Sequence, residues 1–303
     1  MNKQTTNEEF FECLCQHGHV LPSGVLGVFG RGGEYEAVVT GLGGQITALG
    51  ADLSAEVVRF PPVLSRKVLE QSEFLQSFPH LAGTVSAFEG MDAEHVQLVQ
   101  ALEQQRDWSQ FQKMTDLVLA PAACYPVYPL ATGQLPKSGR VFDVEAYCFR
   151  REPSDDVSRM QSFRMREYVR IADAETVLAW RKDLVERTSR LAHQLGIDGH
   201  VQVASDPFFG RFARMMADGQ RDMSLKFELL FPMGAKESVT ALVSFNYHQD
   251  HFGRVFAIKD ASGNTAHTAC LGFGIDRLVL ALLLTHGMST KRWPESVRQQ
   301  LAL

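Results

Sequence analysis

The chain has 303 residues, 45% of them hydrophobic, which is enough to bury the core of one large α/β domain or two small ones. The formal net charge is −5 and no dense block of Lys and Arg could follow a phosphate backbone, so nucleic acid is not the expected partner. The acidic start of the chain and its short apolar runs exclude a secretory signal and a membrane span, so a cytoplasmic protein without a membrane partner is expected.

The five cysteines are scattered, and their odd number speaks against a disulfide framework in a chain without an export signal. Reduced thiols that fill the core or bind a metal are expected instead. Cys13 and Cys15 are too close together for a typical CxxC ligand pair, and Cys148 falls inside a predicted strand, so these three are interpreted as structural.

The first predicted elements are a short helix and a glycine-rich region. Residues 7–17 predict a helix with apolar side chains on one side. Between residues 24 and 50, glycines separate segments such as EAVVTGL and GQITALG, which predicts antiparallel strands. GLGGQI resembles a dinucleotide loop only superficially, because Ile46 occupies the position of the third glycine. We expect residues 1–303 to form one domain, with 1–56 packed on the rest.

The middle of the chain alternates helices and strands. VVRFPPVLSRKVLEQSEFLQSFPHL predicts a strand that passes through two prolines into an amphipathic helix, and a second helix is expected over residues 93–113. A proline-rich, irregular loop at 121–136 leads into the strand VFDVEAYCFRRE. A long helix is expected over 174–195, ending at Gly196.

The last third predicts an antiparallel sheet. Strands are expected at HVQVAS, LKFELLFP, VTALVSFNYH and RVFAIKD, followed by a last helix that begins near Asp276. His248 and His251 could bind a second metal, although a turn between paired strands explains them equally well. The fold class indicated by these elements is α+β.

The stretch FRREPSDDVSRMQSFRMREYV groups charged residues on a predicted β-hairpin. Arg150 and Glu152 lie two apart at the end of one strand, so both face the same side of the sheet. A polar turn carries Arg159, and the returning strand presents Phe163 and Glu167. Guanidinium groups neutralise phosphate, a carboxylate accepts from an amino group and a phenyl ring stacks on a base, so the hairpin suits a nucleotide. Taken alone, it also fits a charged hairpin that faces solvent.

The second segment is CLGFGIDRLVLALLLTHG. Gly272 and Gly274 fall within a predicted strand, where glycine admits a ligand or a neighbouring backbone at close range. Arg277 lies in the first turn of the following helix, an unfavourable place for a cation unless it serves an anion such as phosphate. The alternative is an ordinary helix start, with Asp276 as the N-cap and Arg277 in solvent.

Together the two segments resemble motifs 2 and 3 of the class II aminoacyl-tRNA synthetases, at residues 150–167 and 272–277. RFPPVLS is a degenerate candidate for motif 1, the dimer-forming element, so a homodimer is expected. FPPVLSRKVLEQSEFLQSFPHL and SFNYHQDHFG are similar to the amino acid:[carrier protein] ligases, truncated relatives of seryl-tRNA synthetase. The likeness runs from about Val57 to the C-terminus, and it implies an antiparallel β-sheet of the class II type, flanked by helices.

The resemblance implies activation of a small amino acid, glycine or alanine being favoured, with ATP and Mg²⁺. Arg150 and Arg277 would be catalytic: Arg150 contacts the α-phosphate and the amino acid carboxylate, and Arg277 holds the outer phosphates together with Arg159. Glu152 would read the adenine amino group and Phe163 would stack on the base. The ATP-binding residues carried over from the family are Arg150, Glu152, Arg159, Met160, Phe163, Ala241, Ser244 and Arg277. Ala241 stands near the position of a glutamate in seryl-tRNA synthetase.

A metal site is the third expectation. Cys124, Glu167 and Cys270 can converge if motifs 2 and 3 are neighbouring strands, and two thiolates with a carboxylate leave the fourth position of a zinc ion open for the substrate amine. Two buried cysteines and an ion-paired glutamate are the alternative. In the family that the sequence resembles, Cys, Glu and Cys at matching positions bind one Zn²⁺ per subunit. Glu167, Asp206 and Asn246 are the candidate amino-acid-binding residues.

The second substrate is expected to be the phosphopantetheine thiol of an acyl carrier protein, as in the truncated family. No sustained heptads predict the coiled-coil arm with which seryl-tRNA synthetases bind tRNA, so tRNA is not expected. Arg211 and Arg214, in FFGRFARMMADGQRD, are candidates for docking an acidic carrier, although an ordinary amphipathic helix has the same pattern. A tRNA-charging enzyme, a catalytically silent paralogue and a structural zinc protein remain as alternatives.

Overall fold

The computed structural model describes residues 6–233 and 239–303. The first five residues of the acidic N-terminal stretch therefore lie outside the described part of the chain. The helices are α1 Asn7–Gln16, α2 Gly33–Leu49, α3 Arg66–Gln71, α4 Phe74–Ser77, α5 Asp92–Glu103, α6 Ala174–Gln194, α7 Ala213–Asp222, α8 His251–Val255, α9 Ile275–His286 and α10 Glu295–Leu301. The strands are β1 Val20–Val25, β2 Val28–Arg31, β3 Glu56–Arg59, β4 Val63–Ser65, β5 Thr84–Phe88, β6 Gln112–Leu119, β7 Gly133–Gln134, β8 Arg140–Phe149, β9 Ser162–Ala172, β10 His200–Val203, β11 Lys226–Pro232, β12 Val239–Gln249, β13 Ile258–Lys259 and β14 His267–Gly274.

A seven-stranded sheet forms the centre, in the order β10-β11-β12-β14-β9-β8-β3. Its neighbours pair antiparallel except β3, which runs parallel to β8 at one edge. Residues of α2, α6 and α9 form one hydrophobic cluster with one face of this sheet, and α8 packs with the opposite face. The predicted α+β class, an antiparallel sheet flanked by helices, is confirmed. Within the described ranges, no helix combines the length and apolar character that crossing a membrane requires.

Helices α1 and α6 begin at residues whose side chains cap them. Thr6 caps α1 in a capping box, accepting from the Glu9 amide at 3.2 Å while the Glu9 carboxylate accepts from the Thr6 amide at 2.8 Å. Asp173 caps α6 by accepting from the Thr176 amide at 2.9 Å, and Gly196 follows the helix with a φ of +75°. Both predicted helices are confirmed.

The expectation of antiparallel strands between residues 24 and 50 is wrong for most of that region. Only the β1–β2 hairpin is extended there, and residues 33–49 form α2. The buried residues of α2 recur at helical spacing, and they are Tyr35, Val38, Leu42 and Ile46. Only Gly41 among the glycines within α2 serves close packing: a Cβ there would collide with the carbonyl oxygen of Leu301 at the end of α10, whereas a Cβ at Gly44 would have nothing within 4 Å.

Two further elements differ from the expectation. The helix predicted over 93–113 ends with α5 at Glu103, and its last two residues belong to β6. RVFAIKD is not one strand: its first residues end α8, and only Ile258–Lys259 are extended, as β13. His251 therefore begins a helix instead of lying in a turn between strands.

The helix expected to be the last is α9, which α10 follows, and Asp276 is not its N-cap, because Gly274 holds that position and the Asp276 carboxylate is buried. Arg31 Nε lies 3.0 Å and Arg164 Nη2 lies 2.8 Å from Asp276 Oδ1, and the Tyr35 hydroxyl donates to the same oxygen at 3.1 Å. These bonds are charge-assisted and shielded from water. They join β2 and α2 to the start of α9, the helix that directly follows the motif 3 strand β14.

Candidate active site

A cavity of about 620 Å³ lies against the central strands β9, β12 and β14. Nearly all the residues that the sequence predicts for the site line this one cavity, although they come from distant stretches of the chain. They are Cys124, Arg150, Glu152, Met160, Phe163, Glu167, Asp206, Ala241, Ser244, Asn246, Cys270 and Arg277. A concave, largely preformed pocket with convergent polar groups is the usual form of a small-molecule site.

The structure brings Cys124, Glu167 and Cys270 together at the buried end of the cavity. Their sulfur and carboxylate atoms all lie within 4.8 Å of one another, and each side chain is buried. Glu167 on β9 pairs with Gly272 on β14, two residues beyond Cys270, so the period-two alternation places both side chains on one face. Cys124 reaches them from the proline-rich loop, where its amide donates to Glu167 Oε1 at 3.0 Å.

The donor set of this trio fits a divalent cation. In the protein alone, the contact with Cys270 and burial raise the pKa of Cys124 well above its usual value, and burial raises the pKa of Glu167. Three acidic groups that are costly to ionise at such close range are stabilised by a bound positive charge. Two thiolates and one carboxylate match the ligands of zinc and would leave one tetrahedral position open.

Two side chains of β12 support Cys270. Asn246 Nδ2 lies 3.3 Å and His248 Nε2 lies 3.7 Å from Cys270 Sγ. The other ring nitrogen of His248 lies 3.0 Å from the Thr268 hydroxyl, and burial lowers the pKa of His248 to about 3, so the ring is neutral. His248 thus lies beside the Cys–Glu–Cys trio rather than at a second site. Ser244, Asn246 and His248 alternate along β12, and this spacing indicates in the sequence that His248 faces the same side as Asn246.

Tyr128 is a residue of this region that sequence reasoning missed. Its ring stacks on Phe252 at 3.9 Å and meets His248 edge-on at 6.3 Å. The buried hydroxyl has no hydrogen-bond partner within the described residues. A buried donor without a partner costs stability, and this hydroxyl lies within electrostatic range of Cys124, Cys270 and Glu167.

The two predicted catalytic arginines lie on the other side of the cavity. Arg277 Nε donates to the Ser158 carbonyl at 2.8 Å and Nη1 to the Ala241 carbonyl at 3.0 Å. Burial and the neighbouring charge of Arg150 lower the pKa of Arg277 to about 10. The alternative in which Arg277 faces solvent is therefore wrong, and two neighbouring, half-buried cations favour an anionic ligand.

Arg150 is fixed between the proline-rich loop and β9. Its Nε donates to the Pro121 carbonyl at 3.0 Å, and its guanidinium carbon lies 5.4 Å from the Phe163 ring centroid. Arg150 and Glu152 come directly after the end of β8, and both line the cavity. The cation thus lies against the Phe163 ring, which also lines the cavity.

A polar network on the third side of the cavity escaped the sequence analysis except for Asp206. Lys226 Nζ lies 2.6 Å from Asp206 Oδ1 and 2.9 Å from Glu228 Oε1. Gln220 on α7 donates to Asp206 Oδ2 at 2.8 Å, and its side-chain oxygen accepts from the Asp206 amide at 2.6 Å. Burial acts to raise the pKa of Asp206, but the Lys226 charge and the hydrogen bonds from Gln220 and Lys226 together outweigh it, and the pKa is lowered.

Three predicted residues are not among those that line the cavity. Arg159 lies near Asp156 with its side chain 62% exposed. Arg211 and Arg214 lie just before and within α7, and the Arg214 side chain is 96% exposed. All three residues lie in surface segments, and the hydrophobic core does not fix their side chains.

Comparison with known proteins supports the same family as this geometry. A family model for the tRNA synthetase class II core domain (G, H, P, S and T) matches residues 108–286. Amino acid–[acyl-carrier-protein] ligase 2 of Bradyrhizobium diazoefficiens is 47% identical over 279 residues, which cover 91% of this chain and 83% of that protein. The chain belongs to the amino acid–[acyl-carrier-protein] ligase family, within the class II synthetases.

The ligase family shares its core with seryl-tRNA synthetases. The type-2 serine–tRNA ligase of Methanopyrus kandleri is 32% identical over 198 residues, 61% of this chain and 37% of that protein. The structure of the M. kandleri synthetase with A. aeolicus tRNASec matches with a TM-score of 0.82 at 22% identity, covering 99% of this chain and 61% of that one. The likeness extends the shared fold over nearly the whole ligase chain, which spans about three fifths of the solved synthetase.

Proposed function

We propose that the protein activates a small amino acid with ATP and transfers the resulting aminoacyl group to the phosphopantetheine thiol of an acyl carrier protein. The observation that carries this proposal is the single cavity in which the Cys–Glu–Cys trio faces the Arg150–Arg277 pair. It is supported by the name of the ligase that is 47% identical. Glycine and alanine are the proposed substrates, since a small side chain is what the family resemblance implies.

ATP binds along the arginine side of the cavity in this proposal. Arg150 contacts the α-phosphate and the amino acid carboxylate, Arg277 and Arg159 hold the outer phosphates, and Glu152 accepts from the adenine amino group. Phe163 stacks on the base next to Met160, whose side chain is buried against Arg31. The location of the guanidinium groups supports these roles, because phosphate oxygens are the ligands that a preorganised arginine pair favours.

Mg²⁺ accompanies ATP and offsets the charge of the triphosphate. Ala241 offers no carboxylate to this ion, and its carbonyl oxygen already accepts from Arg277. A polar side chain farther along the same strand that also lines the cavity is Ser244, whose hydroxyl lies 3.5 Å from Glu228 Oε1. We infer that Ala241 contributes to nucleotide binding through its backbone, by fixing Arg277.

Cys124, Glu167 and Cys270 would hold one zinc ion per subunit. A zinc ion there supplies a Lewis-acidic position for an uncharged amine, which selects an α-amino acid over a hydroxy acid or a fatty acid. Asn246, beside Cys270, and Asp206, across the cavity, complete the amino acid pocket in this proposal. The fixed location of these groups directs the substrate carboxylate toward Arg150.

The two chemical steps follow from this alignment. A carboxylate oxygen of the amino acid attacks the α-phosphorus in line, the bond to the β-phosphate oxygen breaks, and pyrophosphate leaves with the electron pair. The carrier thiol then attacks the acyl carbon, the acyl–phosphate bond breaks, and AMP leaves as the thiol proton passes to solvent. Arg277 stabilises the charge of the departing pyrophosphate in the first step, and Arg150 stabilises the negative charge that develops at the α-phosphate in both steps.

The carrier docks, in this proposal, on the exposed face of α7. Arg211 and Arg214 present positive charge there, and Met215 is 65% exposed beside them. Carrier proteins are usually acidic, so the surface is complementary in charge. A homodimer built through the motif 1 segment, as the family resemblance implies, is part of the same proposal.

The proposal is tested by offering both acceptors to the activated enzyme. The protein is incubated with ATP and each amino acid, and then with either unfractionated tRNA or a phosphopantetheinylated carrier protein. A labelled thioester on the carrier, formed with glycine or alanine and absent with the carrier that lacks phosphopantetheine, is the expected result. Labelled tRNA without a labelled carrier would contradict the proposal that the carrier protein is the acceptor. The absence of pyrophosphate release with every amino acid would contradict the activation step.

A further inference from the structure

The tip of the β1–β2 hairpin lies against the loop that joins β8 and β9. The carbonyl of Gly27 accepts from the Gln161 amide at 2.7 Å, and the carbonyl of Leu26 accepts from Gln161 Nε2 at 2.7 Å. Val25 and Leu26 at the tip are 56% and 55% exposed, so the tip does not insert a hydrophobic side chain into the core. Its contact with the body of the protein is therefore made chiefly by these directional bonds.

A second contact from the same hairpin reaches the next residues of the loop. Arg31 Nη2 lies 3.0 Å from the Met160 sulfur and donates to the Ser162 carbonyl at 3.2 Å. The same guanidinium is anchored by Asp276 at 3.0 Å. The hairpin thus binds three consecutive residues, 160–162, from both its tip and its base.

The loop fixed in this way carries one of the groups that hold Arg277. The Ser158 carbonyl accepts from Arg277 Nε at 2.8 Å, and Ser158 itself is tied by its amide to Asp156 Oδ1 at 2.8 Å. Arg159, the exposed arginine of the loop, lies between Ser158 and the bound residues 160–162. A displacement at Gln161 would therefore shift Arg159 and Ser158, and with Ser158 the guanidinium of Arg277.

Gly27 is the position in the hairpin where this contact is closest. It is buried, has a φ of +70°, and a Cβ there would lie 3.1 Å from the Gln161 amide nitrogen and 3.2 Å from the Arg159 carbonyl oxygen. Gly24, in the same hairpin, has a φ of +82°, and a Cβ at that position would have nothing within 4 Å. The two glycines share the left-handed conformation, but only Gly27 contacts the loop.

We propose that the β1–β2 hairpin is a positioning element for the nucleotide, with Gly27 and Gln161 as the residues that hold the β8–β9 loop in place. Neither residue touches ATP; they act through Ser158, Arg159 and Arg277. The inference rests on the proposed function, in which those arginines bind the phosphates. It assigns a role in activation to a part of the chain that precedes the class II motifs.

The test compares Gly27→Ala with its matched control Gly24→Ala in amino-acid-dependent ATP–pyrophosphate exchange. Both changes strain a left-handed glycine, but only Gly27→Ala pushes on the loop, so its KM for ATP should rise about tenfold while that of Gly24→Ala changes less than about twofold. The KM for the amino acid should stay unchanged in both, since the Cys–Glu–Cys end is not involved. Thermal unfolding of both variants measures the loss of stability that the shared backbone strain causes, independently of the exchange assay.

A second variant approaches the same contact from the loop. Gln161→Ala removes the bond to the Leu26 carbonyl without adding bulk, and it should also raise the KM for ATP with the amino acid KM unchanged. Equal effects of Gly27→Ala and Gly24→Ala, or parallel rises in both KM values, would overturn the proposal. If the wild type supports no exchange, the proposed function fails instead, and ATP dissociation constants of the same proteins by calorimetry then decide the hairpin's role.

Discussion

The cavity on the central sheet and helix α7 are built in opposite ways. Glu167 and Cys270 at the base of the cavity are 2% and 3% exposed and are held by paired strands. Every residue of α7 is at least partly exposed, and the Arg214 side chain is 96% exposed. The helix connects to the cavity through Gln220, which binds Asp206 by two hydrogen bonds.

This difference separates two requirements of one enzyme. Aligning a carboxylate with a phosphorus atom requires fixed groups, since small displacements of reacting atoms cost large factors in rate. Docking a carrier that must also leave requires accessible charge and adaptable side chains such as methionine. Substitutions in the cavity should therefore abolish amino acid activation, whereas substitutions on the outer face of α7 should alter only the association with the carrier protein.

The largest effect is expected from removing one member of the Cys–Glu–Cys trio. Cys124→Ala should eliminate bound zinc and reduce amino-acid-dependent pyrophosphate exchange at least about a hundredfold, because a two-ligand site retains metal poorly. Metal content by mass spectrometry and exchange rates check this. Cys148→Ala is the control: that thiol is buried at 1% exposure outside the trio, so both zinc and exchange should remain. Zinc retained in Cys124→Ala would contradict the site.

A buried ion pair stabilises the sheet: Arg166 Nη2 lies 2.6 Å from Asp143 Oδ2. Arg166 also donates to the Gly43 carbonyl, so the pair joins α2 to the sheet. Asp143→Asn leaves a buried cation without its partner and should lower the free energy of unfolding by about 3–5 kcal/mol. Urea unfolding measures it, with Asp52→Asn as the control. Asp52 is 61% exposed in its pair with Arg187, and its loss should cost less than about 1 kcal/mol.

The smallest effect is expected on α7. The double charge reversal Arg211→Glu with Arg214→Glu should slow transfer to an acidic carrier about tenfold at low salt and leave pyrophosphate exchange unchanged. Single-turnover transfer from the adenylate, at several salt concentrations, measures this. Arg190→Glu reverses an exposed charge on α6 and should change neither rate. Transfer that is unaffected by the double reversal would remove α7 as the docking surface.

Sequence patterns predicted the sheet and most of the cavity for a physical reason. Residues such as Glu167 and Cys270 lie on strands whose period-two alternation fixes the side they face, so pairing two motif strands places their side chains together. The family resemblance added Ala241 and Ser244, and it also added Cys124, which comes from an irregular loop that no periodicity describes. Helix α2 was missed because its glycines predict turns locally, although the helix tolerates them and Gly41 allows close packing against α10.

Long-range ion pairs were beyond local patterns. Nothing near Lys226 in the sequence indicates that it meets both Asp206 and Glu228. Asp276 likewise follows the rule for an N-cap in sequence, yet Arg31 and Arg164 recruit it from distant strands. Such contacts depend on the tertiary fold, and tertiary context overrides local preference.

The most direct measurement is ATP–pyrophosphate exchange across the amino acids, with the protein as purified, after removal of its metal by a chelator, and after zinc is restored. The account predicts exchange with a small amino acid, its loss on chelation in the presence of excess Mg²⁺, and its recovery with one zinc ion per subunit. Full exchange by metal-free protein that contains less than about a tenth of an ion per subunit would contradict a role for the Cys–Glu–Cys trio in substrate binding.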